Sequence, residues 1–325
     1  MNSGLKSGDL VEVRSANEIF LTLESNGTLN GLPFMPEMIQ YCGKSFRILG
    51  RVVQAVIDSA GIEGYNESYV RKFKDDDVVI LESLRCSGVN HNGCKKSCTL
   101  FWKEAWLKRV DTVVSDYSSI SFENVNSKLR LKVLTDNGKY FCQSSQFRYA
   151  TNQLNYSERI KNLFTSLNTG NYSLKKLSGM LSVWFFWKIR QRLFGVYPRG
   201  SRNNTPIERL DLQEGEEVEV KSLPEIVETL DENGCNRGLH FCTDMRKYCG
   251  KRFRVKARAD KLISEGTGDM REIPNTVILE NAFCDSAYFA FGGCLRSDFL
   301  YWREIWLRRV QDEKSGHRKK TRAAS

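Results

Sequence analysis

The sequence predicts an α+β fold, in which two copies of one small β-barrel-like domain with an inserted helix are joined by a mixed, partly helical middle segment. Three observations carry that expectation. Gly8 to Gly43 aligns without a gap on Gly215 to Gly250 at an offset of 207, and 18 of those 36 positions are identical. The identity resumes near the end of each stretch, where Trp102, Glu104, Trp106 and Leu107 match Trp302, Glu304, Trp306 and Leu307. Residues 111–214 have no counterpart elsewhere in the chain. A separation this long means a duplicated domain rather than a solenoid. The chain thus divides into a first repeat at 1–110, a middle segment at 111–214, a second repeat at 215–310 and a basic flexible tail at 311–325.

Each repeat opens with a short alternating strand, residues 10–14 in the first. Ser15-Ala-Asn-Glu18 and Ser222-Leu-Pro-Glu225 then spell capping boxes, whose side chains satisfy the free N–H groups of a new helix. Helices are expected to run to residues 25 and 232, where Asn26-Gly27 and Asn233-Gly234 stop them. Phe46 to Val53, Val78 to Leu84, Phe253 to Val255 and Thr276 to Glu280 are rich in β-branched residues and read as strands. Together these elements fit a partly open barrel of the Src-homology-3 type. The paired tryptophans of Phe101-Trp102-Lys-Glu-Ala-Trp106 and Tyr301-Trp302-Arg-Glu-Ile-Trp306 are read as one helical face packed on the barrel, with Glu104 and Glu304 as solvated ion-pair partners.

In the middle segment, Leu129 to Leu134 and Tyr140 to Cys142 flank Asp136-Asn-Gly-Lys and predict a hairpin. Ser173 to Phe194 reads as a helix whose Leu181-Ser-Val-Trp-Phe-Phe-Trp187 core is flanked by Lys175, Lys176, Lys188, Arg190 and Arg192. Burial of its aromatic side chains against a barrel is the expectation; residues 173–194 on an anionic membrane surface and a protein partner stay open as alternatives. Tyr197 to Pro206 is turn-rich and predicts a linker into the second repeat.

The composition is globular, with 41% hydrophobic and 27% charged residues, which excludes wholesale disorder. The N-terminal residues carry no basic leader with an apolar run, and no stretch reaches the ~18 apolar residues of a span. A cytoplasmic location follows as the expectation, with peripheral membrane attachment left open. The formal charge of +10 suits nucleic acid, acidic lipid or an acidic partner without choosing among them.

A reducing compartment makes clustered thiols more often metal ligands than bridges. Cys86-Ser-Gly-Val-Asn-His91-Asn-Gly-Cys94-Lys-Lys-Ser-Cys98 gathers three thiols and an imidazole. Zinc takes four such ligands in a tetrahedron, so Cys86, His91, Cys94 and Cys98 are the expected metal set, with an iron–sulfur cluster or free thiols as alternatives. Gly88 and Gly93 allow the backbone to wrap closely, and a helical turn after Gly93 would bring Cys94 and Cys98 to one face. The second repeat has Cys284 and Cys294 but Phe291 and Asp298 at the other two positions, so no tight metal is expected there. Cys42 and Cys249 read as small buried residues, and Cys142 as a possible neighbour of the site.

Three resemblances bear on these residues. The Gly-Asp/Glu-x-Val-x-Val opening is similar to the start of small barrels that bind nucleic acid or peptides. Cys86-Ser-Gly-x-x-His91 is similar to the Cys-Asp-Gly-Ser-His segment of a small two-iron family, but has an extra residue before the histidine and no upstream Cys-x-Cys. Through its Tyr-Cys-Gly, Cys/His-rich and Phe-Trp-Lys-Glu-Ala-Trp-Leu segments, the chain resembles an uncharacterised bacterial family of duplicated proteins. That resemblance covers most of the chain and implies no particular activity.

Catalytic motifs are sparse. Cys42-Gly-Lys-Ser45 mimics the end of a phosphate loop, but Met38 stands where its first glycine belongs. With three histidines in the chain, acid–base chemistry has few candidates. The leading expectation is a zinc-stabilised binding or assembly protein whose partner is another protein. An enzyme using the Cys86/His91/Cys94/Cys98 site is the alternative, and nucleic-acid binding through the basic surface a further one.

Overall fold

Two five-stranded antiparallel sheets, each curled into a half-barrel, organise the chain. A computed structural model describes residues 4–57, 70–110, 131–195, 198–284, 286 and 290–310. The expected tail at 311–325 and the start of the middle hairpin strand lie outside the described residues. The first sheet comprises β1 (Leu10–Val13), β2 (Ser45–Arg51), β3 (Val78–Arg85), β4 (Thr99–Lys103) and β5 (Leu107–Arg109) in the order β4-β3-β2-β1-β5. The second comprises β6 (Glu217–Val220), β7 (Arg252–Arg258), β8 (Thr276–Phe283), β9 (Phe299–Arg303) and β10 (Leu307–Arg309) in the matching order β9-β8-β7-β6-β10.

The curl has a local cause. Pairing of β2 with β3 shifts register between Ile48 and Gly50, and pairing of β7 with β8 shifts between Val255 and Ala257. An extra residue on one strand bends it and increases its twist, which turns the sheet over its core. Val11 and Val13 of β1, like Val218 and Val220 of β6, point into that core with no exposed surface.

The first capping box forms in full. Ser15 accepts from the Glu18 amide at 3.3 Å while Glu18 accepts from the Ser15 amide at 3.0 Å, opening α1 (Ala16–Thr22). The helices end sooner than the sequence suggests, because the Asn-Gly pair serves the following turn: Asn26 Oδ1 accepts from the Thr28 amide at 3.1 Å and Gly27 adopts φ 80°. The paired tryptophans are not on a helix. Strand β4, the 3₁₀ turn Glu104–Trp106 and strand β5 carry them, and strand alternation followed by a tight turn directs both indoles inward. Trp102, Trp106, Trp302 and Trp306 are all fully buried.

Glu104 and Glu304 are likewise interior. Glu104 pairs with Arg51, while Glu304 accepts from the backbone amides of Leu210, Asp211 and Leu212 at 2.7, 3.1 and 3.0 Å and from Arg258 at 3.1 Å. A carboxylate on the 3₁₀ turn at the sheet edge reaches a strand arginine, so it is desolvated and paired rather than solvated.

The chain resolves into two compact units, the first Met1–Val196 with Asp260–Pro274 and Phe283–Phe299, the second Tyr197–Ala259 with Asn275–Ala282 and Leu300–Ser325. Two excursions from the later part of the chain thus belong to the first unit. There too are α2 (Tyr156–Asn168) and α3 (Leu174–Phe194). On α3, Leu177 and Met180 cluster with Tyr172, Leu163 and Leu167, and Trp184 meets Phe291 edge-on at 4.8 Å, so α2 and the 283–299 excursion cover its inner face. In the second unit α4 (Leu223–Val227) repeats the position of α1 behind its own capping box. Among the described residues no helix is long and apolar enough to cross a membrane.

Candidate metal centre

Strand β3 ends at Arg85 and delivers Cys86 to the mouth of a folded loop. The Cys86 amide donates to the Cys98 carbonyl at 2.8 Å, which closes the loop at its base. Within it the amides of His91 and Gly93 both donate to Gly88 O at 3.0 Å. Gly88 has φ 72°, and a Cβ there would lie 1.9 Å from the Cys94 carbonyl oxygen, so only glycine lets the two limbs meet. The segment after Gly93 is irregular rather than helical, because Asn92 and Ser97 also take positive φ.

The loop wraps a cavity of ≈ 20 Å³, room for a single ion, lined by Cys86, His91, Cys94 and Cys98 together with Cys142. All four expected ligands therefore face one space. The tightest group is a different one. The ligand atoms of Glu37, Cys86 and His91 lie within 4.8 Å of one another, whereas Cys94 and Cys98 are not members of that trio. Glu37 comes from the 3₁₀ helix Pro36–Tyr41 and lies outside the expected set. A cue existed, since the offset of 207 places Asp244 opposite it and keeps an acid at both positions.

His91 is 1% exposed, and its Nε2 lies 3.1 Å from the Phe141 carbonyl. A carbonyl only accepts, so Nε2 carries the proton and Nδ1 presents a lone pair. That Nδ1 has no hydrogen-bond partner. Glu37 Oε2 accepts from the Ser87 amide and hydroxyl at 2.8 and 2.9 Å, leaving Oε1 without a partner as well. Two orphaned buried lone pairs beside a thiol are costly unless something binds them. A histidine held through its far nitrogen and a carboxylate held through its far oxygen are how outer-shell contacts orient metal ligands.

Burial pushes the Cys86 thiol up, and the neighbouring Glu37 carboxylate and Cys98 push it further. Burial also raises Cys98, opposed by the Lys96 and Arg296 cations. Cys142 is raised by burial, and its sulfur accepts from the Ser145 amide at 3.4 Å. A low-pKa nucleophilic thiolate is the opposite of this pattern. Raised thiols lose their protons to a bound cation instead, which makes metal uptake proton-releasing.

The far wall comes from the first excursion and its neighbour. The Ile263 amide donates to Cys94 Sγ at 3.3 Å, and the Lys95 amide to the Lys261 carbonyl at 2.9 Å. Behind them the buried Lys96 meets Glu265 at 3.4 Å, and Arg296 bridges Glu265 and Asp298. Two buried cations and their two carboxylate partners thus stand next to the cysteines. No residue spacing links 260–298 to the Cys/His loop, which is why the sequence does not reveal this wall.

The donors fit zinc: an imidazole nitrogen and several sulfurs around a space for one ion, with the Glu37 carboxylate close to two of them. Comparison of the chain with known protein families, with curated proteins and with solved structures gives no match.

Proposed function

We propose that this is a zinc-stabilised binding protein, with two duplicated barrels of the Src-homology-3 type and one structural metal centre. The supporting observation is the clustering of Glu37, Cys86 and His91, with Glu37 Oε1 and His91 Nδ1 lacking hydrogen-bond partners, beside a cavity that Cys86, His91, Cys94 and Cys98 line. His91 and Cys86 serve as ligands, with Cys94 and Cys98 completing the set; Glu37 either joins them or holds the Cys86 side in place. More donors surround the cavity than a tetrahedral ion needs, so the coordination sphere closes without water. A closed sphere suits structure, whereas a catalytic zinc keeps a position open. An iron–sulfur cluster brings its own sulfides and calls for more space than one ion, and so ranks below zinc. The barrels are read as the surfaces that meet a protein partner.

Elemental analysis of the purified full-length protein, with an absorption spectrum, tests the reading. One zinc per chain and no visible colour are expected. His91→Ala should empty the site, while Cys294→Ser should leave the metal unchanged. A coloured protein would replace zinc with a cluster, and a metal-free, fully stable protein would sink the proposal.

A further inference from the structure

The outer face of α3 combines exposed apolar side chains with a cationic border. Its sequence contains five lysines and arginines and no acidic residue. Leu177, Met180 and Trp187 are buried. At about 100° per residue, Phe185, Phe186, Ile189 and Leu193 occupy the opposite side, within an arc of roughly 100°. Their exposures are 63, 61, 48 and 68%. Arg190 follows that arc on one edge, and Arg192 and Lys188 precede it on the other. Lys188 and Arg190 lie over Trp184 and Trp187 at 5.7 and 4.9 Å, which sets the cations at the shoulders of the helix. Among the described residues, ten of the sixteen exposed large hydrophobics fall in α2 and α3, so the exposure is concentrated rather than scattered.

We propose that α3 docks on an anionic lipid bilayer, lying parallel to its surface with Phe185, Phe186, Ile189 and Leu193 in the headgroup–acyl boundary. Charge complementarity selects this occupant. The border cations would reach lipid phosphates while their stems stay along the apolar face. Two copies of the helix face to face would instead oppose their arginine rows, with no acid on the helix to relieve them. Apolar residues alone would serve any greasy groove, but a border of one sign on both edges fits a uniformly negative plane. The helix is not apolar enough to cross, so it lies on the membrane.

Flotation of the full-length protein with vesicles of phosphatidylcholine, alone or containing phosphatidylserine, tests this. Binding to the anionic vesicles should exceed binding to the neutral ones by roughly tenfold and fall when salt is raised. The double Phe185→Ser/Phe186→Ser removes two exposed rings and Arg190→Glu/Arg192→Glu inverts the border charge; each should reduce binding roughly tenfold with the circular dichroism unchanged. Equal binding to both vesicle types, no binding to either, or full binding by the variants would overturn the proposal. So would a wild-type dimer in sedimentation that Phe185→Ser/Phe186→Ser converts to monomer, since the face would then be a self-interface. Should a variant fail to fold, the lipid and salt dependence of the wild type decides alone.

Discussion

In the first sheet the Trp106 indole donates to Thr22 Oγ1 at 3.1 Å; in the second the Trp306 indole donates to Thr229 Oγ1 at 3.0 Å. Phe34 meets Trp102 and Trp106 edge-on at 6.4 and 5.3 Å, and Phe241 meets Trp302 and Trp306 at the same two distances. Around these matched cores the connections differ. Between β3 and β4 stand three cysteines and His91; between β8 and β9, Phe291 and Asp298 take two of those places, and Asp298 pairs with Arg296 at 2.9 Å. What the halves share is interior packing, and what they do not share is where soft ligands collect. The thiol-rich cluster is therefore carried by a loop that the curled sheet tolerates rather than by the sheet.

Metal withdrawal should separate the two halves most strongly. Structural zinc in small peptides contributes ~10–16 kcal/mol, as large as the stability of many whole domains. Chelation, or Cys86→Ser, is expected to speed amide exchange across residues 86–98 and at Ile263, whose amide donates to Cys94. Strands β6 and β10 should keep their protection. Uniform deprotection of both units would mean that the asymmetry is only in the sequence.

The buried carboxylates supply a symmetric control. Glu104→Ala removes the carboxylate partner of the buried Arg51, which typically costs ~3–5 kcal/mol, and Glu304→Ala takes the shared acceptor from the amides of Leu210, Asp211 and Leu212 as well as one partner from the quarter-exposed Arg258. Denaturant unfolding should show both losses. A loss at Glu304 accompanied by faster exchange at 210–212 would add that this carboxylate also anchors the incoming chain, since it accepts from three amides there.

How far these features could be read in advance depended on their range. The strands at Ser45–Arg51 and Val78–Arg85 and both capping boxes are local patterns, and the sequence shows them plainly. The tryptophans looked helical because a spacing of four fits a helix as well as a strand that runs into a tight turn. That Cys86, His91, Cys94 and Cys98 come to one cavity was legible because they lie in one loop. Glu37 is tens of residues upstream, and Ile263 and Arg296 far downstream, so only folding brings Glu37 beside Cys86 and His91 and the other two to the cavity. The split of α3, with Trp187 inside and Phe185 and Phe186 outside, depends on α2 and the 283–299 excursion, which no periodicity in α3 encodes.

Acid should divide the halves the other way. Position 33 of the first half is proline, and its counterpart is His240. Burial pushes His240 down to about 4 from its ordinary 6.5, so the folded second unit stays neutral where the unfolded chain is protonated. Stability from this group is full above about 6.5, falls as pH drops towards about 4 and then levels off, with a total of at most about 3 kcal/mol. Thermal unfolding followed through the second unit should show that decline, and His240→Pro or His240→Gln should flatten it. A pH profile unchanged by the substitution would remove His240 from the comparison.

The smallest effect concerns the helix starts, and it asks whether equivalent residues have equivalent energies. Ser15 and Ser222 each open a short helix, but only the Ser15 hydroxyl accepts from the helix backbone, at 3.3 Å; each hydroxyl donates to its own Glu, at 2.7 Å to Glu18 and 2.6 Å to Glu225. Loss of a serine cap costs ~1 kcal/mol. The helices differ in a way that favours the second. Pro224 pre-sets the backbone of α4, and Arg308 meets both oxygens of Glu225 at 2.7 Å, whereas Glu18 is met by Arg14 at 3.1 Å one helical turn away. With both oxygens of its carboxylate held by one arginine nitrogen and its first turn pre-organised, α4 should lose less when the hydroxyl goes. Ser222→Ala is therefore expected to cost a few tenths of a kcal/mol less than Ser15→Ala. Urea unfolding of the two single variants, with fluorescence of Trp306 and Trp106 as reporters, is the comparison to make; a larger loss for Ser222→Ala would show that the arginine clamp adds nothing to the cap.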